Sequence, residues 1–482
     1  MSGPPLRGLA GRKQNNRMPH KQRWKLQSER TIMAQHNIEK WDLGYALLRP
    51  FVNLNYRGYF KNIYIRGKEN IPDDTPLIYA PNHQNALMDA LALVYSAPGQ
   101  PVFLARSDIF HNPLIARILT FLKLLPIYRI RDGYDALQHN DRILAKVGDI
   151  MRSHKSLVIF PEGNHAPERR LRPLKKGICR IAFQAEARQH FNLGLKIIPV
   201  GLEYDNFYKF GHNLIIRFGQ PIGVASYQEL YRQNPSRALN ALKQDIACAL
   251  KKVMVHIDSP SYHDTINYLR AVYRPYMKNH TANGKQRYPE VLEEEKRSIV
   301  LWGNKVAAYP RQAAWLSQQT ALYQRILSRL KLREKIVSAS PHPWLPLLAK
   351  LVLVVVFFPL FLYGTVNNVL PFFLPLLAIR NVKDPQFWSS IKNGLALVLF
   401  PFFYGVQTLL VAIFSDASWI PWVYLIGLPL SGYLAYAWYV TAQKMGGQLR
   451  YNILWLRKTN MMKKLWDLKQ SLIHTLDAWR KT

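Results

Sequence analysis

Leu77-Ile78-Tyr79-Ala80-Pro81-Asn82-His83-Gln84-Asn85-Ala86-Leu87-Met88-Asp89 sets the class to which this chain is assigned. Leu77–Ala80 has the composition of a buried strand. Pro81 closes that run, and an apolar helical pattern then continues to Tyr95. A strand feeding a helix through a short turn is the repeating unit of an α/β fold. The turn carries His83, and Asp89 stands a few residues into the helix. That placement suits a general base. An imidazole takes a proton from an alcohol near neutral pH, and a carboxylate on its other nitrogen fixes the tautomer. A capping or core histidine beside a helix-start acid has the same signature, so the pair alone leaves both readings open.

Short β-rich runs recur on either side: Tyr64–Arg66, Val102–Ala105, Ser156–Phe160, Lys196–Leu202 and Leu214–Phe218. Amphipathic stretches such as Tyr134–Arg152 and Lys176–Arg188 separate them. The alternation predicts an α/β domain over residues 35–255, with a central, mostly parallel or mixed sheet flanked by helices. Ile38–Asn55 reads as an amphipathic helix docked on that domain or on lipid.

Three further motifs carry chemistry. Phe160-Pro161-Glu162-Gly163 follows a strand directly, and ligands of open α/β sheets bind at strand C-termini. Beyond it, Arg169, Arg170, Arg172, Lys175 and Lys176 form a basic loop ending at Gly177. Such a loop can cradle a phosphate, although a solvated charge run has the same composition. In Pro126–Arg131, strand alternation points Arg129 and Arg131 to one face. Two guanidiniums on one face call for an anion or an acidic partner; a phosphate is the preferred occupant, and a salt-bridged structural pair is the alternative. Ile197–Leu202 reads as a buried strand.

Lys and Arg outnumber Asp and Glu 65 to 30, a formal net charge of +35. An excess of that size implies a polyanionic partner, either anionic lipid or nucleic acid. No helix-turn-helix, zinc-finger or aromatic RNA-binding signature accompanies it, so anionic membrane lipid is expected and nucleic acid is not. The two cysteines, Cys179 and Cys248, make neither metal-ligand spacing nor a disulfide framework. Residues 1–34 are basic, lack an apolar core and are expected to be a disordered arm.

The C-terminal half differs in composition. Residues 256–340 read as a basic helical linker. Residues 341–440 read as a membrane region: a re-entrant hairpin over 345–379, interrupted at Asn367 and Asn368, then transmembrane helices over 394–414 and 419–440. Residues 441–482 form a basic tail whose Met461, Leu465, Leu468, Leu472, Leu476 and Trp479 share one helical face. The loop Arg380–Lys392 and the tail are basic, which places them and the N-terminal domain on the cytosolic face.

Taken in order, Asn82-His83…Asp89, Arg129/Arg131, Phe160-Pro161-Glu162-Gly163 and Ile198-Pro199-Val200 resemble the blocks of the PlsC-type glycerophospholipid acyltransferase family over residues 60–225. The spacing here is His-x5-Asp, one residue longer than the family's usual His-x4-Asp. It resembles the branch that includes fungal glycerol-3-phosphate and dihydroxyacetone-phosphate acyltransferases, as do Asn164-His165 and Gly201-Leu202-Glu203-Tyr204. The resemblance implies a membrane-bound O-acyltransferase of phospholipid biosynthesis, with His83 as base and Asp89 as its orienting acid. Arg129, Arg131, Glu162, Gly163, Lys175 and Lys176 would bind the acceptor. The acyl donor would be acyl-CoA or acyl carrier protein, the acceptor glycerol 3-phosphate or lysophosphatidate, with no metal or other cofactor. Acylation of another lysophospholipid in remodelling, and a non-enzymatic basic membrane scaffold, are the alternatives.

Overall fold

The computed structural model describes residues 38–110, 112–128, 139–280, 288–338 and 340–481. The expected arm at 1–34 lies outside them. Eight strands make one sheet: β1 (Asn62–Arg66), β2 (Leu77–Pro81), β3 (Val102–Arg106), β4 (Leu124–Ile127), β5 (Ser156–Val158), β6 (Lys196–Tyr204), β7 (Asn213–Phe218) and β8 (Ile222–Gly223). Their order is β1-β7-β6-β2-β5-β3-β4, with β8 on β6. Pairing is antiparallel at β6–β7 and β6–β8 and parallel elsewhere, the mostly parallel sheet the alternation predicts.

Helices cover both faces of this sheet, so β2 is buried along its whole length and reads as an unbroken apolar run. They are α1 (Leu43–Tyr59), α2 (Ala86–Ser96), α3 (Pro113–Phe121), α4 (His139–Arg152), α5 (Gly177–Ala187), α6 (Gln228–Gln233) and α7 (Pro235–Val253). Alternation along β2 divides the core: Ile78 and Ala80 pack with α4, α5 and α7, while Leu77 and Tyr79 pack with α1 and α2. Asp42 caps α1 by accepting from the Tyr45 N–H at 2.7 Å. Tyr45, Tyr56 and Tyr59 of α1 turn inward, leaving Leu43, Leu47 and Leu54 exposed.

Three helices follow: α8 (His263–His280), α9 (Tyr288–Ala308) and α10 (Pro310–Arg329). Then come α11 (Trp344–Val356), α12 (Phe358–Ala378), α13 (Trp388–Ile413), α14 (Ile420–Leu456) and α15 (Asn460–Lys481). Three stretches are long and apolar enough to cross a membrane: Phe358–Asn381, Pro385–Ile413 and Ile420–Leu456.

Two expectations for this half are corrected. The segment 345–379 does not turn at Asn367 and Asn368; both lie inside continuous α12, and the break falls at Phe357. α11 and α12 advance one after the other along α14: Lys350 donates to Gln448, Trp438 to the Val354 carbonyl, and Asn368 to the Leu428 carbonyl. The asparagines do not break the helix because their polar atoms are satisfied. Asn368 Oδ1 accepts from the Tyr404 hydroxyl and Asn367 Oδ1 from the Tyr424 hydroxyl, each at 2.6 Å. Nor are 256–340 and 441–482 a linker and a separate tail. Leu465, Leu472 and Leu476 of α15 are fully buried against α8, α9 and α10, and the four helices share one core.

Candidate active site

β2 lies between β5 and β6, and its parallel pairing with β5 brings their C-terminal ends to the same edge of the sheet. His83 leaves the end of β2 there, and Phe160–Gly163 leaves the end of β5. The two imidazole and phenyl rings stack, with centroids 4.1 Å apart. Position, not sequence distance, makes one site of the two motifs.

His83 Nδ1 lies 2.8 Å from Asp89 Oδ2. Asp89 is completely buried. Its Oδ2 also accepts from the Gln84 and Asn85 backbone N–H groups, both at 2.7 Å, and its Oδ1 accepts from the Tyr204 hydroxyl at 2.7 Å. A carboxylate can only accept, so Nδ1 carries a proton, and in the neutral imidazole Nε2 then has the lone pair. The longer His-x5-Asp spacing is absorbed before α2 settles: Ala86 takes a left-handed backbone, φ 40°. That twist lets the extra residue pass while Asp89 still faces His83.

Glu162 ties the His83 turn to the basic loop. Its Oε1 accepts the His83 backbone N–H at 2.8 Å, and its Oε2 accepts Arg172 Nε at 2.8 Å. It is buried and does not line the cavity, and its two carboxylate oxygens hold the His83 turn. Burial pushes its carboxyl above the usual range, against the pull of Arg172 and the backbone donors. Arg172 also reaches the His83 carbonyl, at 3.3 Å. Arg169, buried as well, pairs with Glu203 at 2.6 Å. Two of the five cations in the loop are thus internal ties.

A cavity of about 1590 Å³ opens beside His83. At its polar end stand Gly163, with φ 78°, and Lys175, Lys176 and Arg180 at the start of α5. Elsewhere the lining is largely apolar, with Leu91, Val94, Ile118, Phe121 and Leu124 among it. Arg129 and Arg131 lie outside the described residues. His165 meets the His83 ring edge-on at 5.2 Å, and burial holds its imidazole below its ordinary pKa, hence neutral at pH 7. Cys179 is buried, which pushes its thiol up to about 11 and leaves it inert as a nucleophile.

Sequence reasoning named His83, Asp89, Gly163, Lys175 and Lys176, and the fold gathers them at one end of β2. It missed Tyr204, whose position at the end of β6 gave no chemical signal, and it read Arg172 only as part of a basic loop, with no sign of its tie to Glu162.

Comparison with known proteins gives a consistent result. Residues 62–203 match the family profile described as Acyltransferase. An uncharacterised acyltransferase of Schizosaccharomyces pombe is 29% identical over 198 residues, which are 41% of this chain and 28% of that protein. Glycerol-3-phosphate O-acyltransferase 2 of Saccharomyces cerevisiae is 29% identical over 28% of this chain and 18% of its own length. A 1-acyl-sn-glycerol-3-phosphate acyltransferase of Borreliella burgdorferi is 27% identical over 38% of this chain and 67% of its own length. The match thus spans under a third of either fungal protein. The crystal structure of PlsC, the 1-acyl-sn-glycerophosphate acyltransferase of Thermotoga maritima, aligns at 17% identity with a TM-score of 0.29, over 46% of this chain and 97% of that one. Residues 62–203 are thus similar to the family described as Acyltransferase.

Proposed function

We propose that this chain transfers a fatty acyl group from a thioester, acyl-CoA or acyl carrier protein, to the hydroxyl of glycerol 3-phosphate or lysophosphatidate. The single observation that supports the chemistry is His83 on the cavity wall, with Nδ1 held by buried Asp89. In this reading Nε2 takes the proton of the acceptor hydroxyl as its oxygen attacks the thioester carbonyl. Asp89 stabilises the imidazolium that forms. The thiol leaves, and the proton returns to it from His83. No metal and no acyl-enzyme are required. Lys175, Lys176, Arg180 and the N-terminus of α5 form a cationic end suited to the acceptor's phosphate. The resemblance of the His-x5-Asp spacing to that of the fungal glycerol-3-phosphate acyltransferase branch favours glycerol 3-phosphate over lysophosphatidate.

The same reading places the catalytic domain on the cytosolic face, held to anionic lipid. The basic 380–392 loop contacts the α/β domain through Lys392, which donates to the Tyr208 carbonyl. Arg325 and Arg329 on α10 are exposed, as are Lys331 and Lys335 beyond it.

Purified protein offered both acceptors and both donors tests the reaction. Transfer by the wild type and a loss of about 10³-fold or more in kcat for His83→Ala are expected. Substantial transfer by a folded His83→Ala variant overturns the mechanism. Salt-sensitive binding to membranes with no acyl transfer at all would favour a scaffold.

A further inference from the structure

The α/β domain does not enclose the cavity alone. Phe387, Asn393, Gly394 and Leu397, from the start of the helical stretch Pro385–Ile413, also line it. Phe387 meets His165 edge-on at 4.9 Å, and His165 meets His83. The membrane region is therefore two aromatic contacts away from the base.

The start of α13 is fastened in place. Ser390 Oγ accepts the Leu87 N–H at 3.1 Å, in the first turn of α2, where Asn85 offers no side-chain cap. Ser389 donates to the Phe207 carbonyl at 2.5 Å, and Asn55 donates to the Asn393 carbonyl at 3.3 Å. Ser389, Ser390 and Asn393 are all buried. Further along the same helix Val398, Phe402 and Leu409 are exposed. On the domain side, Ile118 and Phe121 of α3 both line the cavity and remain exposed. Apolar residues thus stand both in the cavity lining and on the part of α13 suited to lipid.

We propose that residues 387–397 form the wall of an acyl-chain site that opens toward the bilayer, with Gly394 setting the space the chain can occupy. The proposal rests on the acyltransferase reading. The membrane region then selects substrate as well as anchoring the enzyme. Gly394 is the informative position, since a Cβ built there meets nothing within 4 Å. A side chain added at this lining position starts in open space.

The test uses the full chain in detergent or nanodiscs. One arm compares octanoyl and palmitoyl thioesters with glycerol 3-phosphate. The other compares octanoyl and palmitoyl lysophosphatidate with a fixed donor. Gly394→Phe should lower the palmitoyl-to-octanoyl ratio of kcat/KM by roughly tenfold or more in at least one arm. The arm that responds tells whether the chain belongs to the donor or the acceptor. Leu397→Ala, which enlarges the same wall, should raise the ratio and serves if Gly394→Phe fails to fold. Gly405→Phe is the control: the same helix, equally open space at its Cβ, no place in the cavity lining. Unchanged ratios in both arms for Gly394→Phe and Leu397→Ala, or an equal shift for Gly405→Phe, overturn the proposal. A wild type that transfers neither chain overturns the acyltransferase reading itself, and is told apart by the missing activity.

Discussion

At the scale of the residue, the site depends on Asp89 having four donors and two oxygens to receive them. His83 Nδ1, two backbone N–H groups and the Tyr204 hydroxyl all converge on it. Charge-assisted hydrogen bonds of this kind offset the cost of a carboxylate with no exposure to water. Asp89→Asn separates geometry from charge. The amide oxygen can keep the three donors on one side, and the amide N–H can donate to Tyr204. No negative charge then remains to stabilise the imidazolium. The expected outcome is a fall in kcat of about 10²–10⁴-fold with little change in acceptor KM, read from steady-state kinetics. The histidine and the aspartate were legible because both lie in one short motif. For Glu162 the motif showed a carboxylate at a strand end and could not show what that carboxylate touches. Its two oxygens are occupied by a backbone 79 residues away and by Arg172.

At the scale of the element, strands and helices of the α/β domain were recoverable from periodicity. The apolar segments were harder, because a helix in apolar surroundings loses the contrast between faces that periodicity measures. Pro371 lies inside α12 and cannot donate to the Asn367 carbonyl one turn back. Gln407 Nε2 of α13 makes that bond instead, at 2.9 Å. Polar residues that look like interruptions in the sequence are therefore ties between helices. Gln407→Leu should leave the Asn367 carbonyl unpaired and cost about 1 kcal/mol. Thermal unfolding in detergent would show it as a Tm lowered by a few degrees, with activity at low temperature retained.

Across the whole molecule, the α/β domain and the helical bundle are joined by ion pairs that are buried or partly buried. Asp205, just beyond β6, accepts from Arg274 of α8 at 2.7 Å and from the Tyr288 hydroxyl of α9 at 2.8 Å. Burial alone would raise its pKa; Arg274 and these hydrogen bonds win and hold the carboxyl down at about 2. The sign follows. A depressed folded pKa gives stability that is fully present above the ordinary aspartate range and is lost as pH falls toward 2. The displacement corresponds to about 2 kcal/mol. Asp205→Asn should lower the Tm at pH 7 and flatten its decline between pH 5 and 3. A wild-type and a variant curve that fall in parallel would show that Asp205 is not the responsible group. Glu203, paired with both Arg169 and Arg270, ties the same two units together.

Local pattern alone determined the α/β class, the strand-end histidine with its acid, the cationic loop and the apolar C-terminal segments. Each is written in residues close together in the chain, where alternation, turn chemistry and hydropathy act. Tertiary structure decided which cations reach the cavity, that the tail completes a bundle, and that a membrane helix supplies part of the wall beside His83. Those depend on contacts such as Leu87 with Ser390, 303 residues apart. No property of either stretch taken separately encodes that meeting, because it is the packing of the remaining chain that sets the distance between them.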